Sequence, residues 1–66
     1  MIAPNVILIR RNMMIGKLRA CGARSGSTAV SLAEAGVRNP GGFAHITDWM
    51  VRKGFIHRTS DGRYYL

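Results

Sequence analysis

The feature that most constrains the fold is a change of periodicity at Gly54, in the middle of residues 39–66. Before Gly54 the apolar residues recur at helical spacing, whereas after it short runs rich in aromatic and branched residues indicate strands. Asn39 and Pro40 are suited to cap and begin a helix, and Gly54 is suited to end it in a left-handed conformation. The segment therefore predicts a helix of about four turns that leads directly into a β-hairpin.

The turn of this hairpin is predicted at Asp61-Gly62, because a type I′ turn needs two residues that tolerate positive φ. A two-residue turn there pairs Arg58 with Tyr65 and places the side chains of Arg58 and Arg63 on the same face. Cationic side chains near a hairpin tip are suited to a phosphate backbone or a minor groove. A second interpretation is that they only prevent aggregation through the strand edge.

An earlier helix is predicted over residues 13–21, where Met14, Leu18 and Cys21 fall on one apolar face. Residues 5–12 are compatible with a strand or with an extension of this helix. Residues 1–12 form a short apolar arm with two interpretations, which are completion of a thin core and dimerisation. The division expected from these patterns is an arm at residues 1–12 and a domain at residues 13–66.

A short helix is also predicted between these two segments, over residues 28–35, with Ser27 as its N-cap. Leu32 and Ala33 lie on its inner face, and the small side chain of Ala33 allows two helices to cross closely. The sequence thus predicts three helices followed by a hairpin.

These elements resemble the winged helix-turn-helix superfamily. The residues that carry the resemblance are STAVSLAEAGV upstream, then Gly54 with the apolar pair after it, the DGR turn and the aromatic final strand. The resemblance covers residues 15–66. It implies a mainly α fold with a small β-hairpin, that is, a three-helix winged helix-turn-helix domain.

The balance of charge points to a polyanionic partner, since ten Lys and Arg residues face three acidic residues and give a net charge of +7. Nucleic acid is the first candidate for that partner and an anionic membrane surface the second. No apolar stretch approaches the roughly 20 residues that span a bilayer, so no membrane-spanning segment is predicted, and double-stranded DNA rather than a membrane is the expected partner. A single cysteine cannot form an internal disulfide, and we expect a reduced, cytoplasmic protein in which Cys21 packs in the core.

The sequence contains no motif in which histidine, cysteine or acidic residues have the spacing of a catalytic site. Two histidines, one cysteine and three acids do not have zinc-ligand spacing, and the sequence has no glycine-rich phosphate loop or nucleophile elbow. We therefore expect no enzyme activity, no metal and no cofactor.

The resemblance implies that the third helix enters the major groove of DNA while the wing contacts phosphates. Asn39, His45 and Asp48 are the expected base or backbone contacts. Gly41 and Gly42 either leave amides bare for a phosphate or avoid a clash in a tight turn. The full set of candidate DNA-binding residues is Ser27, Thr28, Arg38, Asn39, Gly41, Gly42, His45, Asp48, Arg52, Lys53, Arg58 and Arg63.

The predicted function is a small transcriptional regulator that binds double-stranded DNA, with homodimerisation as a further expectation. Trp49 lies on the polar face of the third helix, where it is expected either to pack or to reach a base or a partner. It keeps open an alternative function, which is a protein–protein interaction module of the phage or plasmid accessory type. RNA binding is a weaker third hypothesis.

Overall fold

The fold comes from a computed structural model, which describes residues 6–66. The regular elements in chain order are helix α1 (Val6–Ala20), a 3-10 turn (Gly26–Thr28), helix α2 (Ala44–Lys53), strand β1 (His57–Arg58) and strand β2 (Tyr64–Tyr65). The two strands form an antiparallel hairpin. The part of the predicted arm at residues 1–5 lies outside the described residues.

The predicted three-helix winged helix-turn-helix fold is wrong, because the described residues contain two α-helices and a two-stranded hairpin. The structure is a small mixed α/β fold. The missing element is the helix predicted at residues 28–35. Val30 instead exchanges two backbone hydrogen bonds with Tyr64, at 3.0 and 2.8 Å, and this pairing requires an extended chain.

A single helical turn at residues 31–36 is what remains of the predicted second helix. Ser31 and Glu34 cap it reciprocally, because the Ser31 amide donates to the Glu34 carboxylate and the Glu34 amide donates to Ser31 Oγ. The hydrogen bond from the Ser31 amide is the largest cause that holds the pKa of Glu34 below its ordinary value. Ser31 thus takes the capping role predicted for Ser27, and Ala33 is exposed rather than at a helix crossing.

Helix α1 contains most of the predicted first helix and runs without interruption from Val6 across residue 12. Met14 and Leu18 are buried on its inner face, as expected. Cys21 is exposed, so its predicted packing role is wrong. The helix closes at Gly22, whose φ is +71°, and Ala23 donates its amide to the Leu18 carbonyl and takes the buried position instead.

Helix α2 begins later than predicted, at Ala44. Asn39 is not its N-cap, since Asn39 has φ +49° and its carbonyl accepts from the Gly42 amide in a separate turn. Pro40 therefore lies in that turn. The capping position belongs to Phe43, which has φ +55° and gives no side-chain cap. The predicted end of the helix is confirmed, because Gly54 has φ +81° and its amide donates to the last turn.

The hairpin is present but its register differs from the prediction by one residue. His57 faces Tyr65 and Arg58 faces Tyr64. The Thr59 amide donates to the Arg63 carbonyl at 2.8 Å, which leaves three residues in the loop rather than two. Such loops combine a type I turn with a left-handed glycine, here Gly62 at φ +82°.

The core lies between α1, α2, the hairpin and the segment at residues 32–37. Its largest fully buried side chains are Met14, Leu18, Met50 and Ile56. Ile46, Thr47 and Met50 face inward from α2, and Ile56 is buried after it, whereas Phe43 is 43% exposed because it lies before the helix begins. Among the described residues, no helix has both the length and the apolar character needed to cross a membrane.

Candidate functional site

Two consecutive arginines of α1 reach the two ends of α2. The guanidinium carbon of Arg10 lies 4.9 Å from the centroid of the Phe43 ring, immediately before the helix. That of Arg11 lies 5.0 Å from the centroid of the Phe55 ring, just after it. Helix α1 therefore holds α2 between two cation–π contacts.

The amino end of α2, which we define as residues 38–45, is organised by Arg10. Its guanidinium donates to the carbonyls of Arg38, Asn39 and Gly42, at 3.0, 2.9 and 3.2 Å. Arg10 is only 6% exposed, and no acidic residue among those described forms an ion pair with it. Its Nε atom is buried without a hydrogen-bond partner in the described part of the chain. The three carbonyls thus compensate a buried positive charge without neutralising it.

The first turn of α2 adds to the positive character of this end. Its first intrahelical bond runs from the Ile46 amide to the Phe43 carbonyl at 2.9 Å, so the amides of Ala44 and His45 have no acceptor among the described residues. The aligned peptide dipoles place partial positive charge there. Arg38 and His45, which belong to the same segment of the chain, are both exposed. An anion would therefore be favoured at the amino end.

The two glycines predicted to bare these amides have different roles. A Cβ on Gly42 would collide with the side-chain amide of Asn39, so a glycine is needed here for close packing. A Cβ on Gly41 would meet nothing within 4 Å. Gly42 therefore avoids a clash in a tight turn, which is one of the two interpretations of these glycines. Nothing near Gly41 would obstruct a side chain.

The hairpin cations predicted to bind phosphate have partners within the protein. Arg58 donates to Asp48 Oδ1 at 2.6 Å and to the Tyr64 hydroxyl at 3.0 Å. The hydrogen bond with Asp48 makes the largest contribution to raising the pKa of Arg58 above its ordinary value. Arg63 Nε lies 3.4 Å from Asp61 Oδ2. The Thr59 hydroxyl also donates to Asp61, and this bond is the main cause that lowers the pKa of that carboxyl.

The predicted site residues are therefore divided among separate places. Arg38, Asn39, Gly41, Gly42 and His45 come together at the amino end. Asp48 and Arg58 form a pair between α2 and the hairpin, while Arg52 and Lys53 lie in the last turn of α2. Ser27 and Thr28 belong to the 3-10 turn, in which Thr28 Oγ1 accepts from the amides of Arg24 and Ser25.

A groove on the outer side of α1 is a feature that the sequence interpretation missed. Its volume is about 450 Å³, and it is lined by Arg11, Asn12, Ile15, Gly16, Arg19 and Phe55. Trp49 packs against the Phe55 ring with a centroid distance of 5.4 Å and is half-buried. Packing is thus the outcome for Trp49. The lining contains two arginines and no acidic residue.

Arg10 was also missed, although a signal for it exists in the sequence. It precedes Met14 and Leu18 by one and two helical repeats, so it occupies an apolar position on the inner face of α1. A cation at such a position is either an interruption of the face or a buried ligand of backbone carbonyls. Only the conformation of residues 38–43 distinguishes these two cases.

Comparison of the chain with protein-family models, with curated proteins and with solved structures gives no match. Within residues 6–66, no group of three or more histidine, cysteine and acidic side chains is placed to hold a metal ion. The function is therefore argued from the geometry and charge of the molecule itself.

Proposed function

We propose that this protein binds double-stranded DNA through the amino end of α2 and acts as a small transcriptional regulator. The observation that carries the proposal is the buried Arg10, which has no acidic partner and lies where the positive end of the α2 dipole also lies. A phosphate group is the ligand that such a concentration of positive charge favours.

The exposed residues of the amino end give this contact its chemistry. Arg38 is a cation for the phosphate backbone, and the amides of Ala44 and His45 are free donors for a phosphate oxygen. The side chains of Asn39 and His45 are available for base edges or backbone. A helix that meets DNA with its amino end places such residues at the floor of the groove.

The hairpin has a secondary role in this proposal. The ion pairs of Arg58 with Asp48 and of Arg63 with Asp61 are exposed, and exposed pairs contribute little to the stability of a protein because solvent screens them. A phosphate can replace the carboxylate in either pair at small cost. Their contribution to affinity is therefore smaller than that of an unpaired arginine.

The test is a fluorescence-anisotropy titration of a labelled mixed-sequence duplex at several salt concentrations. Arg38→Ala is expected to lower the salt slope by about one unit, because one phosphate contact is lost. Lys17→Ala is the matched control, since Lys17 is an exposed cation on α1 away from this end. Equal losses in both variants would contradict a localised site, and absence of binding at low salt would overturn DNA binding altogether.

A second candidate function is supported by the first turn of α1, which is apolar on all sides. Val6 is 54% exposed and Ile9 is 58% exposed. Apolar side chains clustered at one end of a small protein are typical of a surface that binds another protein, either a second copy or a different partner. Ile9→Glu should abolish self-association measured by sedimentation if this surface forms a homodimer, whereas a full-length chain that is monomeric at high concentration would contradict the homodimer.

A further inference from the structure

The groove between α1 and Phe55 has no role in the duplex contact proposed above, since it lies at the opposite end of α2. We propose that this groove binds an unpaired nucleotide of single-stranded nucleic acid. Three properties of the groove carry the inference, namely its shape, its charge and its aromatic wall. The proposal is independent of duplex binding at the amino end.

The shape of the groove suits a ligand of nucleotide size. Its volume of about 450 Å³ falls within the roughly 300–1,000 Å³ of small-molecule sites. Gly16 contributes to this space, because a Cβ there would meet nothing within 4 Å and the helix surface is open beside it. A larger residue at this helical position therefore has room for its Cβ and would extend its side chain into the groove.

The charge of the groove suits phosphate groups along a strand. Arg11 and Arg19 are eight residues apart on α1, which separates them by about 12 Å along the helix axis. Neither has an acidic partner among the described residues. Arg11 instead donates to the Asn12 side-chain carbonyl at 3.2 and 3.0 Å, which fixes its direction. Two cations spaced along the helix surface match a backbone that carries a charge at every nucleotide.

The aromatic wall suits a base. Phe55 is 37% exposed, and its ring packs against Trp49. The Arg11 guanidinium lies over the same ring, so the wall offers a base a planar cation and the part of the ring that the cation leaves uncovered. Bases of single strands stack on such surfaces with little regard to sequence. Bases in a duplex are already stacked on each other, and their faces are inaccessible to this wall.

An acidic peptide and a lipid surface fit these observations less well. The groove contains a flat ring and a flat guanidinium, which match the face of a base rather than the branched or flexible groups of a peptide or lipid. A charge-matched peptide therefore serves as a competing ligand in the test.

The experiment titrates an oligothymidylate of about eight nucleotides into the protein and follows the fluorescence of Trp49, the single tryptophan. Gly16→Leu fills the groove without removing a charge, and it also replaces a helix-weakening residue. Ala33→Leu is the matched control, because it adds the same side chain at an exposed site outside the groove. We expect Gly16→Leu to weaken strand binding about tenfold and Ala33→Leu to leave it unchanged.

Three further ligands separate a nucleotide site from simple attraction of charge. An abasic strand of the same length and a glutamate oligomer of the same charge should each bind about tenfold more weakly than oligothymidylate. Equal binding of either one, or unchanged binding by Gly16→Leu, would overturn the proposal. Thymidine monophosphate that binds as tightly as the strand would also overturn it, in favour of a free-nucleotide site. Duplex binding by Gly16→Leu should equal that of the wild type, so failure here is distinct from failure of the duplex proposal.

Discussion

The two ends of α2 are held by the same pair of residue types at almost the same distance, yet they differ in what the arginine does. Arg10 lies 4.9 Å from Phe43 and is buried, with its donors spent on three loop carbonyls. Arg11 lies 5.0 Å from Phe55 and borders an open groove. The cation–π contact alone therefore does not decide whether an arginine supports the fold or remains available to a ligand. The surrounding carbonyls decide it.

The cause of this difference is the way in which each end of the helix is closed. The carboxyl end closes itself, because the amides of Gly54 and Phe55 donate to the last turn. The amino end has no side-chain cap, and without Arg10 the loop carbonyls of Arg38 and Gly42 would have no hydrogen-bond donor among the described residues. Arg10 therefore uses its hydrogen-bond donors to hold the loop at the amino end of α2. Arg11 is not needed for this purpose at the carboxyl end, where backbone amides cap the helix.

The largest effect is expected from Arg10→Met. It leaves the carbonyls of Arg38 and Gly42 without a donor, removes one of the two hydrogen bonds to the Asn39 carbonyl, and releases the loop before α2. We expect the free energy of unfolding to fall by about 2–4 kcal/mol, as measured by urea unfolding followed by Trp49 fluorescence. A loss as small as that of Arg11→Met would show that the two ends are equivalent and would remove the contrast.

A smaller effect is expected from the glycine that closes the carboxyl end. Gly54→Ala forces a side chain into φ near +81°, and we expect a loss of about 1–2 kcal/mol in the free energy of unfolding. No neighbour lies within 4 Å of the added Cβ, so this cost is conformational and not steric. The loss of unfolding free energy caused by Gly54→Ala should therefore be the same, in urea unfolding, when neighbouring side chains are also substituted.

Gly42→Ala tests the opposite situation at the amino end, where the obstacle is the Asn39 side chain. Because that side chain is exposed and can rotate, we expect a loss of about 0.5–1 kcal/mol. In an Asn39→Gly background the loss should disappear, since the obstacle is gone. Urea unfolding of the four proteins in this cycle measures the coupling, and an equal loss in both backgrounds would contradict the steric explanation.

The smallest effect on stability is expected from Arg11→Met. The change removes the cation–π contact with Phe55, worth about 0.5 kcal/mol, and exposed hydrogen bonds to Asn12 that water can replace. The same variant should bind oligothymidylate more weakly, because one of the two groove cations is gone. A large loss of stability together with unchanged strand binding would reverse the roles assigned to Arg10 and Arg11.

The sequence predicts correctly the parts of the fold that depend on short-range chemistry. Gly54 ends α2 because its conformational preference acts locally, and Met14 and Leu18 are buried because their spacing matches a helix. The hairpin turn was located near the correct residues, but its register was wrong. The loop is closed by backbone and hydroxyl bonds of Thr59 with Arg63, and this contact was not anticipated from the Asp-Gly pair alone.

The parts that were predicted wrongly depend on residues distant in sequence. The helix expected at residues 28–35 has good local propensity, yet Val30 is drawn into an extended conformation by Tyr64. The start of α2 depends in the same way on Arg10, which binds the loop at residues 38–42 from another helix. As a result, the sequence predicts the exposed residues of the candidate site at the amino end, but it does not predict that Arg10 organises them.

The bridge between Val30 and Tyr64 has a consequence for the kinetics of folding. Helix α2 and the hairpin contain mainly local contacts, whereas the bridge joins Val30, which precedes α2, to Tyr64 in the second strand of the hairpin. Closing so long a loop costs chain entropy before any contact repays it. We therefore expect the helices and the hairpin to form early and the Val30 strand to dock late. Substitutions at Val30 would then accelerate unfolding while leaving the refolding rate nearly unchanged.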